Sequence, residues 1–168
     1  MNKNDPRESY WNESYANYWQ KRVNESSEDG PSTIHEGDSK TEGDWVYKKL
    51  FQDNIFNPGS ILDVGCAWGR MFEIYIKNNL EIYGADISEF MIKECKKKWH
   101  SINIEENLKV SEAENLVFES NFFDNLVCFA TFDATHQENA ITEFFRVLKI
   151  DGKLFISGKN SNYFENDE

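Results

Sequence analysis

The spacing of apolar positions along this chain changes with region, and the changes mark its elements. Over residues 44–160 short apolar runs alternate with stretches in which apolar residues recur every three or four positions, with turn residues between them. The runs read as strands and the stretches as amphipathic helices. "DWVYKKLFQDNIF", with Trp45, Leu50, Ile55 and Phe56, predicts a helix beginning near an Asp44 cap and ending before Asn57, Pro58 and Gly59. "SILDVG" then predicts a strand, "MFEIYIKNN" a helix, "EIYGADI" a strand, and "SEFMIKECKKKWH" a helix capped by Ser88. "NLKVSEA" and "FDNLVCFATF" predict two further strands, "QENAITEFFRVLK" a helix, and "GKLFISG" a fifth strand after a turn at Asp151 and Gly152. Strands alternating with helices predict an α/β fold: a Rossmann-like, doubly wound, mostly parallel sheet with helices on both faces.

Residues 1–43 carry a different pattern. Tyr10, Trp11, Tyr15, Tyr18 and Trp19 recur as on one side of a helix. From Glu25 to Asp44 the chain is rich in Gly, Ser, Asp and Glu and almost without apolar residues, which predicts a mobile acidic loop or lid. The expected organisation is an N-terminal helix and lid over residues 1–43 and one domain over 44–168.

Composition narrows the function classes. The 168 residues fit one domain, and 39% hydrophobic residues suffice for a core. A balance of 18 basic against 30 acidic residues repels polyanions, so nucleic acid is not an expected partner, and Lys96, Lys97 and Lys98 read as a solvated helix face. Cys66, Cys95 and Cys128 form no CxxC pair and read as free thiols of a reducing compartment. No apolar stretch approaches the roughly 18 residues of a membrane span, and the first residues lack a signal-peptide core, so no membrane partner and a cytoplasmic location are expected.

Candidate chemistry gathers at the first strand. In "ILDVGCAWGR" the strand ends at Asp63 and Val64, and Gly65 to Gly69 form a tight turn that opens a helix. A Gly at each end lets the backbone approach a ligand closely and lets the helix start pack near the sheet. In "YGADIS", 21 residues beyond Gly65, Asp86 ends the second strand, where a carboxylate accepts hydrogen bonds from both hydroxyls of a ribose. Singly, a turn glycine is usually structural and a strand-end Asp usually a helix cap. Together, at the carboxyl ends of adjacent strands, they point to a nucleoside. Dinucleotide sites carry G-x-G-x-x-G, whose middle glycine clears space for a pyrophosphate. Here Cys66, Ala67 and Trp68 fill those positions, so a phosphate-free ligand fits better.

"ILDVGCAWGR" resembles the first motif of class I S-adenosylmethionine-dependent methyltransferases of the small-molecule type, written D-x-G-x-G-x-G, with Ala67 at the middle glycine. "YGADIS" resembles the second motif, "VSEAENLVFESNFFDNLVCF" the stretch through the fourth strand, and "FFRVLKIDGKLFISG" the helix, turn and strand that follow. The resemblance implies S-adenosylmethionine as cofactor. It implies that Asp63 and the backbone of Gly65 and Cys66 surround the methionine portion, with Gly69 closing the turn. It further implies that Asp86 holds the ribose, Ile87 flanks the adenine, Glu112 and Ala113 line its other edge, and Phe129 and Ala130 lie beneath the cofactor. Tyr18 and Arg22, four apart on the N-terminal helix, are implied to meet the methionine carboxylate.

Methyl transfer is an in-line displacement in which the protein aligns the acceptor and excludes water. A hydroxyl or protonated amine acceptor gains from a base, and "TFDATHQ" offers Asp133 and His136 after the fourth strand, where either is equally a helix cap. Asp133 and Asn160 stand where catechol-type relatives hold a metal, but the neighbouring acid is absent, so no metal is expected. The expected reaction is methyl transfer to O or N of a small molecule, with a sugar or cell-surface precursor as one acceptor class. The alternatives are a noncatalytic S-adenosylmethionine-binding or scaffold module and, less favoured, an NAD-dependent dehydrogenase, which lacks its Tyr-x-x-x-Lys pair here. Family members continue past the fifth strand, whereas "NSNYFENDE" follows it here. The sheet is therefore expected to lack the last strands of the usual seven, with a homodimer partner or an additional domain covering its open edge unless the sequence is part of a longer protein.

Overall fold

A computed structural model of the chain describes residues 55–158. Tyr18, Arg22, Asn160, the expected lid and all but the last two residues of the helix expected before Asn57 lie outside the described residues.

Five parallel strands form one sheet in the order β3-β2-β1-β4-β5. The central strand β1, Ser60–Val64, is buried at every position, as befits a strand covered on both faces, with Ser60 and Asp63 the polar residues among Ile61, Leu62 and Val64. Helix α1, Phe72–Lys77, leads to β2, Glu81–Asp86. Helix α2, Glu89–Trp99, starts where expected, because the Ser88 hydroxyl accepts from the Met91 N–H at 3.3 Å. Strand β3, Leu108–Val110, is short, and β4, Phe123–Cys128, is followed by helix α3, Gln137–Val147. Ile61, Ile82 and Val127 pack on Phe72, Tyr75, Ile92 and Cys95 of α1 and α2. Leu62, Leu126 and Cys128 pack on Ala140, Phe144 and Val147 of α3 on the other face. The alternation along each strand thus sends successive residues to two cores, which makes the fold a doubly wound α/β sheet.

Strand β5, Leu148–Ile156, begins earlier than the turn residues indicated. Leu148 is buried against α3 and pairs with Phe123, and a register shift then carries the pairing to Lys153 opposite Asn125. Asp151, at φ 65, lies inside this irregularity, so the expected tight bend at Asp151 and Gly152 falls within the strand and not before it. At the opposite end of the sheet from the candidate site, buried Asn125 donates to the carbonyls of Asn57 and Ser60 and accepts from the Asn57 N–H, which satisfies it fully. All three cysteines are free and buried. Among the described residues no helix is long and apolar enough to cross a membrane.

Candidate functional site

Asp63, Gly65, Gly69, Asp86, Phe129, Asp133 and His136 stand at or just beyond the carboxyl ends of β1, β2 and β4, and Glu112 and Ala113 follow β3. In the turn after β1, Gly65 and Gly69 adopt φ 75 and 77, and Ala67 adopts φ 48. Ala67 therefore takes the left-handed backbone that a glycine would adopt freely, at a cost of about 1 kcal/mol or more. The N–H groups of Gly65 and Cys66 donate to the Ala85 carbonyl at 2.8 and 3.1 Å, and that of Gly69 donates to the Cys66 carbonyl at 2.8 Å. The Ala67 N–H donates to Asp86 Oδ2 at 2.9 Å. These donors are spent inside the protein, so they do not form the cradle of open N–H groups that a pyrophosphate requires.

The glycines themselves make room for protein. A Cβ on Gly65 would overlap Oγ1 and Cγ2 of Thr131, and one on Gly69 would overlap the Trp99 indole and the Phe72 ring. The Trp99 Nε1–H donates to the Trp68 carbonyl at 3.1 Å, which fastens the end of α2 to the turn. The expectation that both glycines serve ligand room is corrected to this extent: beside each, a side chain from another element occupies the space.

Asp86 ends β2 with one backbone donor on each oxygen, Ala67 N–H on Oδ2 and Ser88 N–H on Oδ1, both at 2.9 Å. Burial raises its pKa, and the two N–H bonds only partly offset that. Each oxygen retains acceptor capacity, which suits a pair of ribose hydroxyls. Ile87 follows it, half-buried.

Asp63 lies one strand over and is 4% exposed. The Tyr75 hydroxyl donates to its Oδ2 at 3.2 Å, and among the described residues Oδ1 accepts no hydrogen bond. Burial pushes this carboxyl up to about 7; the Tyr75 hydrogen bond and the Arg70 charge pull it down, and Asp86 pushes it further up. A buried carboxyl oxygen without a donor is an invitation to a cationic or N–H-bearing ligand. Among the described residues the Gly65 carbonyl beside it likewise accepts no hydrogen bond. Tyr75 drew no notice in the sequence because it sits in the apolar stripe of α1, where an aromatic reads as core.

The loop after β3 is built around Ser111, which sequence reasoning also missed. Its N–H donates to the Asp86 carbonyl at 2.9 Å, and its hydroxyl receives the Val117 N–H at 3.3 Å. Glu112 and Asn115 form an isolated antiparallel bridge, and Ala113 is buried between them. From α3, Arg146 donates to the carbonyls of Leu116 and Phe118 at 2.8 and 2.9 Å, and pairs through two nitrogens with Glu143. The Glu143 carboxylate in turn receives the Leu116 N–H at 2.8 Å and is held below its ordinary pKa, first by Arg146. The Glu143 and Arg146 spacing of three was the available signal.

Beyond β4, Phe129 is buried in the core that faces α1 and α2, and Ala130 turns at φ 52. Asp133 and His136 are exposed on the rim formed by this loop. A Cβ on Gly158 at the end of β5 would overlap the Asp133 carboxylate, so Asp133 lies over that strand end. His136 is the N-cap residue of α3 without a side-chain cap bond, and its N–H donates to Glu114 Oε1. Among the described residues no group of three or more His, Cys, Asp or Glu is arranged to hold a metal ion.

A family model described as a methyltransferase domain matches residues 62–156. The ubiquinone/menaquinone biosynthesis C-methyltransferase UbiE of Rickettsia felis is 37% identical to this chain over 133 residues, which is 71% of this chain and 54% of that protein. The enzyme of the same description from Burkholderia mallei is 26% identical over 116 residues, 67% of this chain and 48% of that one. The chain thus spans about half the length of the curated relatives it matches. Among solved structures, the [4+2]-cyclase SpnF aligns with a TM-score of 0.65 at 20% identity, covering 85% of this chain and 57% of that chain. A SAM-dependent methyltransferase from Aquifex aeolicus aligns with a TM-score of 0.53 at 23% identity, covering 61% and 57%. At these identities the structural likeness speaks for the fold alone.

Proposed function

The chain belongs to the class I S-adenosylmethionine-dependent methyltransferases, with S-adenosylmethionine as cofactor, and from that premise we propose that it methylates a small molecule using Asp63, Asp86 and the Gly65–Gly69 turn to hold the cofactor. The observation that carries this reading is the pair of acceptors at neighbouring strand ends: the Asp63 oxygen that has no donor among the described residues, and the Asp86 carboxylate with capacity to spare. One suits an ammonium, the other a ribose. The bound cofactor supplies a methyl group on a positively charged sulfur, which is an activated leaving group. The protein's part is alignment and exclusion of water. Glu112 and Ala113, on a loop held by Ser111 and Arg146, border the adenine, and Ile87 its other side. Asp133 and His136 stand on the rim where an acceptor enters, and either can take the proton that methylation displaces.

The sequence suggested O or N as the acceptor atom and a sugar as one acceptor class. The curated relatives are named C-methyltransferases, which favours a carbon of a small, electron-rich ring. Such a carbon becomes nucleophilic when an adjacent hydroxyl is deprotonated, the step for which a rim base is suited. Strand β5 pairs only with β4 among the described residues and carries Ile150, 88% exposed, so a second copy or a further domain is the partner we assign to its open edge.

Calorimetry with S-adenosylmethionine, S-adenosylhomocysteine and NAD on the parent chain and on Asp86→Ala tests the site. Loss of the ribose bonds weakens the two adenosyl ligands about tenfold or more. Equal binding by Asp86→Ala, or preference for NAD, overturns the assignment. Tight binding with no methyl transfer to any ring, hydroxyl or amine acceptor leaves a binding module in place of an enzyme.

A further inference from the structure

Asp63 is almost wholly enclosed, and its one hydrogen-bond donor among the described residues is a tyrosine that is itself fully buried. Tyr75 is fixed in turn by its ring contacts with Phe56 and Phe72, so its hydroxyl has little freedom to follow the carboxyl. We propose that Tyr75 is a positioning residue for the cofactor: its hydroxyl orients the Asp63 carboxyl so that the oxygen with no donor among the described residues receives the ammonium of the cofactor's amino-acid end, and this capture is linked to release of the Asp63 proton to solvent. The inference rests on the cofactor reading above and deepens it.

The groups around Asp63 support this linkage. Tyr75 faces it from α1, Arg70 from the segment before that helix, Asp86 from β2, Cys66 from the turn and Cys128 from β4. Tyr75 is driven far above its ordinary pKa by burial and by the Asp63 charge, and so stays a donor. Cys66, through its hydrogen bond with Cys95 and through burial, and Cys128, through burial, stay neutral thiols. Arg70 and Asp86 are therefore the charges in play, one of each sign, and they leave burial to hold the proton on the Asp63 carboxyl up to about pH 7. An arriving ammonium supplies a further positive charge and a donor together, and the carboxyl yields its proton.

The test is calorimetry of S-adenosylmethionine and of methylthioadenosine, which has the adenosine but no ammonium, from pH 5.5 to 8. With the parent chain, affinity for S-adenosylmethionine rises toward tenfold per pH unit below about 7 and flattens above, with close to one proton released in buffers of different ionisation heat. Methylthioadenosine binds with no such slope. Tyr75→Phe keeps the ring and loses the hydroxyl, so affinity at pH 7 falls about fivefold and the rise shifts to higher pH. Asp63→Asn removes the slope and carries the test if Tyr75→Phe does not fold. A flat profile for the parent chain, or a Tyr75→Phe profile that overlies it, overturns the inference while leaving the ribose site intact. Failure of both ligands to bind the parent chain overturns the cofactor reading and this inference with it.

Discussion

Replacing Asp63 by asparagine in the ligand-free protein isolates what it costs to bury that carboxyl. Burial takes its pKa from 3.8 to about 7. Because the folded-state value lies above the unfolded one, the stability this group permits is fully present below about pH 4 and is lost as pH rises through about 7. The shift of about three units, at about 1.4 kcal/mol each, amounts to about 4 kcal/mol at pH 8. The amide introduced by Asp63→Asn would keep an acceptor for Tyr75 but bring an N–H donor to the oxygen position that lacks a partner, a penalty of about 1 to 3 kcal/mol. The variant is therefore expected to be the more stable chain at pH 8 by about 1 to 3 kcal/mol, the difference between those two figures. Urea denaturation at half-unit steps from pH 5 to 8 measures it directly. The stability of the variant relative to the parent should rise by about 1.4 kcal/mol per pH unit up to about 7 and then level off. Parallel stability curves across that range would refute the reasoning, because they would mean that Asp63 is ionised in the folded chain throughout.

The remaining predictions concern the turn, the loop after β3 and the rim. Ala67→Gly relieves a left-handed alanine at φ 48 and should stabilise the chain by up to about 1 kcal/mol in urea denaturation, once the entropy of the added glycine is deducted; destabilisation of that size counts against the strain. Gly65→Ala should lose about 2 kcal/mol or more from its φ and its overlap with Thr131, and Gly65→Ala with Thr131→Ala should recover part of it; strict additivity of the two excludes the contact. Arg146→Met should cost about 2 kcal/mol and raise hydrogen exchange at the Leu116 N–H, while unchanged exchange there removes Arg146 from the support of that loop. At the rim, His136→Ala or Asp133→Ala should lower turnover about a hundredfold with cofactor affinity unchanged, and full turnover in both ends the base assignment.

Much of the fold was legible because burial on two faces leaves a strong mark in sequence. "SILDV" reads as a strand from its apolar residues, and the cap at Ser88 follows from the hydroxyl that fills it. Asp63 and Asp86 drew notice only as a pair with the glycine turn, since a strand-end carboxylate taken singly reads as a helix cap. Tyr75, Ser111 and Arg146 were not legible, because each acts through a partner distant in sequence. Tyr75 meets Asp63 across 12 positions, and Arg146 reaches the Leu116 carbonyl across 30. The start of β5 was misjudged because Asp151 and Gly152 signal a turn locally, while the burial of Leu148 that extends the strand is decided by α3.

The contact between Thr131 and Gly65 has a mechanical consequence. The loop that leaves β4 leans on the backbone that leaves β1, with no side chain on the glycine to absorb movement. A ligand seated against the far end of that loop would press, through Thr131, on the Gly65–Gly69 bend that is proposed to hold the cofactor. If occupancy on one side stiffens or shifts this seam, each of the two small molecules changes the other's affinity by the same factor, whichever arrives first.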